Sequence, residues 1–341
     1  MIRANLCGRR YTNLYGNWFT AYKHVAKALN ELGIEVRTSP ILTFEEPLEN
    51  TTIGIEDSPE DIYIYNHTYL EDIKRSGFKT GKKVIFLKPT APTPEHFTLD
   101  TEGYACSSTI TYEKPPFLNF DETLFFNTKA VELRESSCSK WTDRQELQFS
   151  TNEVPVPDNH VLLIGQMPGD ETVIDFSFGD HWKKFCSIVN YLKDKEPLVI
   201  KIHPTLERES LKSNLWFNEY YLKIQEWRHL GIHVYYGWES MHKILPKTKV
   251  AIVENSTSGV ECMLYDVPII SFGYPEYHWV TKDLRHLHKL AGYINDLSWF
   301  SKTNSRKWLA WYCTEYQCYD YKSTLSRLEF LLKELLLPTQ K

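Results

Sequence analysis

Apolar positions follow two rhythms along this chain, and the two alternate. In residues 18–32, Phe19, Tyr22, Val25, Ala26 and Leu29 recur at helical steps, and Gly33 supplies a stop in the left-handed region. Short apolar runs at 2–6, 34–38, 61–65 and 84–87 read as strands, with a helix at 69–76 between the last two. Such alternation predicts a parallel sheet covered by helices. Residues 90–157 lose the rhythm and carry Pro92, Pro94, Pro115, Pro116, Pro155 and Pro157; at their end, the polar stretch 146–159 reads as a linker or domain crossing.

A second alternating block begins at His160. Strands are expected at 161–165, 198–202, 232–235, 249–253 and 267–272, and helices at 180–192, 216–230, 242–245 and from Ser258 to Leu264. An apolar helix at 324–337, with Leu325, Leu328, Leu332, Leu335 and Leu336, stops at Pro338 and is expected to dock on the core. Its polar face is not rich in Lys or Arg, so peripheral attachment to a membrane surface is the weaker reading. The fold class expected is α/β, with two Rossmann-like αβα lobes: residues 1–150, residues 151–300, and C-terminal helices at 301–341 packing back on the lobes. Ligands of open parallel sheets sit beyond the carboxyl ends of the strands, which in a bilobed protein is the inter-domain cleft.

Composition narrows the function. The 341 residues are 42% hydrophobic and 24% charged, which excludes wholesale disorder. A net charge of −5 argues against a dedicated nucleic-acid binder. No apolar run approaches the roughly 20 residues of a membrane span, and the N-terminus has no signal-peptide core. Seven scattered cysteines without a C-x-x-C pair read as reduced thiols of a cytoplasmic protein, and do not suggest structural zinc. Aromatic residues make up 14% of the chain. The run Trp308, Trp311, Tyr312, Tyr316, Tyr319 and Tyr321 recurs at helical steps, and core packing is preferred to a sugar-stacking platform.

The candidate chemistry lies at the strand exits. After 161–165 comes Gln166-Met167-Pro168-Gly169-Asp170-Glu171, a tight turn that could hold Asp170 as base or nucleophile, or use it merely as a cap. After 198–202 comes His203-Pro204, with Lys201 on the same face of the strand; the imidazole could meet a phosphate, or be a surface group in a turn. After 249–253 comes Glu254-Asn255-Ser256-Thr257-Ser258-Gly259-Val260-Glu261. This hydroxyl-rich turn into a helix suits an anion, while Ser258 and Glu261 also fit a capping box. No Walker A lysine follows, and no G-x-G-x-x-G follows the first strand. On the N-terminal side, His67 and Arg9 (with Arg10) stand at strand exits, either facing a ligand or simply solvated. His278, His286 and His288, with Asp283, lack metal-site spacing.

The order GQMPGD, then KIHP, then ENSTSGVECMLYDVPIISFGYPEYHWVTKD resembles the capsule-polysaccharide β-Kdo glycosyltransferases of bacteria, over about residues 161–283. Residues 97–104 resemble a further Leu-Asp-x-x-Gly-x-Tyr segment of that family and add Asp100 to the acceptor side. The family's acidic motif just upstream is missing, with KPTAPTP in its place. The resemblance implies a metal-independent, two-lobed GT-B glycosyltransferase without a bound cofactor, whose co-substrate is a nucleotide-sugar and whose acceptor is a glycan, glycolipid or glycoprotein. It implies Asp170 as the nucleophile of retaining β-Kdo transfer, and His203 with Lys201 at the departing phosphate. Gln166, Ser256, Thr257 and Ser258 would hold the donor, and Glu261 its ribose. Two alternatives accompany it. One is an inverting transferase using a UDP-, GDP- or dTDP-sugar with Asp170 as general base; the other is a non-catalytic nucleotide- or sugar-binding protein.

Overall fold

The computed structural model describes residues 2–9, 17–41, 61–66, 83–140, 156–167, 172–173, 180–203, 215–235 and 239–336. The expected helix at 69–76, His67, Asp170, Pro338 and the side chains of Arg9 and Arg10 lie outside them. The chain forms two compact units, one from Met1–Glu113 with Trp311–Lys341 and the other from Lys114–Ala310.

In chain order the first unit runs β1 (Arg3–Arg9), α1 (Asn17–Glu31), β2 (Glu35–Ile41), β3 (Ile62–Asn66), β4 (Lys83–Pro89) and β5 (Phe97–Asp100). The second contributes α2 (Thr123–Asn127), α3 (Lys129–Ser136), β6 (His160–Ile164), α4 (His181–Leu192), β7 (Leu198–Lys201), α5 (Leu215–His229) and β8 (His233–Tyr235). It continues with β9 (Thr248–Val253), α6 (Ser258–Leu264), β10 (Ile269–Ser271), β11 (Lys282–Asp283) and α7 (Lys302–Trp311). The chain then returns to the first unit with β12 (Gln317–Cys318) and α8 (Tyr321–Leu336).

The sheet of the first unit has the order β12-β5-β4-β3-β1-β2. β2, β1, β3 and β4 are parallel, as the alternation predicts. β5 and β12 are antiparallel additions that the sequence reading lacks. The 90–96 connection is too short for the crossover of about a dozen residues that a parallel pair needs, so β5 turns back on β4. Thr90 N–H donates to the His96 carbonyl at 2.9 Å across that turn. α1 buries Ala21, Tyr22, Val25, Ala28 and Leu29 and exposes Lys23, Lys27 and Asn30, as its helical period requires. It ends where Gly33 takes φ +74° and Ile34 N–H reaches back to the Leu29 carbonyl at 3.0 Å. Leu328, Leu331 and Leu332 of α8 complete this core.

The sheet of the second unit is parallel throughout, in the order β11-β10-β9-β6-β7-β8. Strand order therefore reverses at β6, whose neighbours β7 and β9 lie on opposite sides. β6 is buried along its length, and Val161, Leu163, Phe185, Val189, Trp227 and Ile252 form the centre of the core. This is the doubly wound Rossmann arrangement, and the β6/β9 junction is its topological switch point.

The units divide between Glu113 and Lys114, not at residue 150, and from Trp311 onward the chain belongs to the first unit alone. Long-range contacts explain the shift. The Arg134 guanidinium of α3 donates to the Leu264 carbonyl at 2.9 Å, His242 Nε2–H donates to the Cys138 carbonyl at 2.8 Å, and Arg306 lies over the Phe126 ring. In the aromatic run, Trp308, Tyr312 and Tyr316 are buried and only Tyr319 is exposed, so these rings pack. No helix among the described residues is long and apolar enough to cross a membrane.

Candidate active site

Three strand exits meet at the switch point. Gly165, directly after β6, donates its N–H to the Lys201 carbonyl at 2.8 Å. A Cβ on Gly165 would come within 3.3 Å of that same oxygen, so glycine permits the close approach of the two exits. Gln166 then donates through Nε2 to Asn255 Oδ1 at 3.3 Å, across to the exit of β9. Asn255 in turn donates through Nδ2 to the Thr172 carbonyl at 2.6 Å. The segment that carries Asp170 is thus flanked by Met167 on one side and by the tethered Thr172 on the other.

Lys201, the last residue of β7, is buried. Its charge is felt by Glu261, in the first turn of α6, which is buried as well. Burial pushes the Glu261 carboxyl up to about 7; Lys201, a hydrogen bond to Ser258 and Lys140 pull the other way without cancelling it. One oxygen of Glu261, Oε1, has no hydrogen-bond partner among the described residues.

The start of α6 differs in detail from a Ser258–Glu261 capping box. Ser258 is the first helical residue, and the N-cap position falls to Thr257, whose side chain makes no cap bond. Ser256 Oγ accepts from Ser258 N–H at 3.3 Å, and its carbonyl accepts from Gly259 N–H at 3.1 Å. The Tyr277 hydroxyl also donates to that carbonyl. A Cβ on Gly259 would collide with the Tyr277 ring, so this glycine lets the ring lie against the helix.

His203 and Gln166 line a small, solvent-open indentation together with Gly165, Ile202, His181 and Trp182, floored by the apolar Phe185, Ile224 and Trp227. His181 is the first residue of α4, whose N-cap Asp180 accepts from Lys183 N–H at 3.0 Å. Its Nδ1 pairs with Glu254, a fully buried carboxylate at the exit of β9. A Cβ on Gly273 would come within 2.6 Å of Glu254 Cγ, so glycine makes room for that carboxylate.

Of the residues expected at the site, the structure gathers Gln166, Lys201, His203, Ser256, Thr257, Ser258 and Glu261 around the exits of β6, β7 and β9. Asp100 is not an open acceptor-side group. It is fully buried, accepts from the N–H groups of Glu102, Gly103 and Thr109 at 2.8–3.1 Å, and takes the hydroxyls of Thr109 and Tyr316 at 3.0 and 2.7 Å. Its lone pairs are committed to holding the fold. The sequence reading assigns no role to His181, Glu254 or Asn255. Glu254-Asn255 directly follows an apolar strand, which was the available signal; His181 gave none beyond its N-cap.

This architecture belongs to a known class, the GT-B fold of two Rossmann-like units. The chain is similar along its whole length to two solved structures of Thermosulfurimonas dismutans KpsC. The β-Kdo 2,4-transferase matches with a TM-score of 0.55 and 13% identity, covering 98% of each chain. The β-Kdo 2,7-transferase matches with a TM-score of 0.52 and 14% identity, covering 97% of this chain and 99% of the other. No curated protein matches the chain in sequence. The sequence profile of the capsule polysaccharide biosynthesis protein family matches residues 123–290. That stretch contains all three motifs at the switch point, and over it the resemblance to capsule-polysaccharide proteins holds.

Proposed function

We propose that the protein is a glycosyltransferase of capsule or related glycan synthesis, and that its second unit takes a nucleotide-sugar. The observation that carries this reading is the convergence of three motif-bearing strand exits on the switch point of a Rossmann sheet, inside the family-matching stretch. A lysine, two imidazoles and a row of hydroxyls stand there, a set suited to a phosphate-bearing ligand.

In this reading Asp170 is the catalytic carboxylate. In β-Kdo transfer it attacks the anomeric carbon, and the nucleotide phosphate departs with the bonding electron pair. The acceptor hydroxyl then displaces Asp170, losing its proton. His203 and Lys201 offset the charge of the departing phosphate, Ser256, Thr257 and Ser258 hold it, and Glu261 meets the ribose. No metal is assigned a part in this reading.

The test is a thermal-shift screen with CMP, UDP, GDP and dTDP, followed by transfer assays with the matching donors. A ligand at 100 times its Kd stabilises the fold by about 2.7 kcal/mol. A CMP preference is expected for β-Kdo transfer, while a UDP, GDP or dTDP preference turns the reading to an inverting transferase with Asp170 as base. Asp170→Asn is expected to keep nucleotide binding and lower turnover at least a thousandfold. Undiminished turnover in that variant removes Asp170 from the chemistry, and nucleotide binding without transfer from any donor leaves a binding protein.

A further inference from the structure

Glu254 is a carboxylate with no exposed surface, at the exit of the strand that forms one side of the switch point. Burying a charge there is costly unless the protein uses it or pairs it. Its Oε2 lies in ion-pair contact with Nδ1 of His181, yet neither carboxylate oxygen nor that nitrogen has a hydrogen-bond partner among the described residues. Lys184, one helical turn beyond His181, also feels the Glu254 charge.

The imidazole is held firmly. It is 5% exposed, and the rings of Phe272 and Phe185 lie 6.2 and 6.0 Å away, centroid to centroid. With Nδ1 turned to Glu254, the opposite nitrogen, Nε2, faces away from the carboxylate. The ring nonetheless forms part of the indentation shared by Gln166 and His203. It does so from the first position of a helix running from His181 to Leu192, whose dipole favours an anion beside the N–H that Asp180 already caps. A carboxylate behind an imidazole fixes which nitrogen faces the ligand and steadies the ring, as it does behind many histidines that bind or react.

We infer that His181, steered by Glu254, is a phosphate ligand of the nucleotide site: Nδ1–H donates to Glu254 and Nε2–H donates to a phosphate oxygen that His203 approaches from the facing strand exit. This rests on the proposed nucleotide-sugar function and adds a ligand that the motifs do not contain. It also gives the buried carboxylate a task, because the carboxylate behind the ring sets which nitrogen meets the phosphate.

The experiment is calorimetric titration of the full-length protein with whichever of CMP, UDP, GDP or dTDP the wild type binds, and with the corresponding nucleoside. His181→Ala is expected to weaken nucleotide binding at least tenfold and to leave nucleoside binding within twofold. The wild-type advantage of nucleotide over nucleoside should shrink with added salt, and shrink less in the variant. His181→Gln, which keeps an amide donor, is expected to fall between the two. Circular dichroism and melting curves show whether each variant is folded, and should His181→Ala fail to fold, the same comparison is read from His181→Gln. Equal losses for nucleotide and nucleoside, or no loss for either, overturn the inference, since a purely structural histidine has no preference for the phosphate. A wild type that binds no nucleotide defeats the functional reading instead, and the two failures are distinct.

Discussion

Glu261 carries a carboxyl at the start of α6 that the fold would rather keep neutral. Its ordinary value of 4.5 rises to about 7, chiefly through burial, so the folded state binds its proton more tightly than the unfolded chain does. Stability is therefore fully present below pH 4.5 and lost as pH rises through about 7, by about 3 kcal/mol at most. Glu261→Gln removes that titration. The variant is expected to match or exceed the wild type in stability at pH 8, and the difference between the two should shrink toward pH 5. Urea unfolding at three pH values measures it, and parallel curves for the two proteins would contradict the assignment. A ligand hydroxyl donating to the unpaired Oε1 would favour the ionised form, so the empty protein stores the cost that binding relieves. At this scale the sequence announced residues that follow strands and hid those that pair across them. Glu261, Lys201 and His203 were visible by position. His181 was not, because its partner Glu254 lies on a different strand exit and nothing local marks the pair.

Elements that obey one periodicity were legible, and those created by pairing were not. α1, α4 and the buried parallel strands follow from helical steps and apolar runs. β5 and β12 do not: β12 is two residues long and exists because Gln317 and Cys318 meet Thr98 and Phe97. Asp100 fastens this edge. Its carboxylate caps the turn after β5 and accepts the Tyr316 hydroxyl from the chain just before β12. Hydrogen bonds to a charged group contribute about 1.5–3 kcal/mol each, so Tyr316→Phe is expected to cost about 2 kcal/mol. Asp100→Ala leaves several buried donors without acceptors and is expected to cost 4 kcal/mol or more, or to abolish folding of the first unit. Chemical denaturation checks both values. A Tyr316→Phe protein as stable as the wild type would mean that the bond adds nothing. The same residues correct a tempting reading: an aspartate in a family-like segment looks like a ligand-binding group until its five donors are seen.

At the scale of the whole molecule the order of the chain misleads. Reading from left to right places a boundary in the polar, proline-bearing stretch 146–159, but α2 and α3 belong with the second unit, and the last segment goes back to the first. A linear reading cannot weigh contacts such as Arg134 with Leu264, and these decide membership. The returning segment is structural: it gives the first unit Leu328, Leu331 and Leu332 of its core, the strand β12, and the hydroxyl on Asp100. Each buried leucine contributes about 1.5–3 kcal/mol, so their joint loss reaches about 5 kcal/mol or more, comparable to the stability of an ordinary domain. A chain ending at Ala310 is therefore expected to unfold its first unit, while the second, which keeps its sheet and core intact, stays protected. Hydrogen exchange read by mass spectrometry separates the two: amides of β1, β3 and β4 should exchange rapidly in the shortened chain, and those of β6 and β9 should remain slow. Undiminished protection in β1, β3 and β4 would mean that residues 2–113 hold together without the returning segment. If the expected pattern appears, a nucleotide should still bind the shortened chain, because every strand exit of the proposed site lies within Lys114–Ala310.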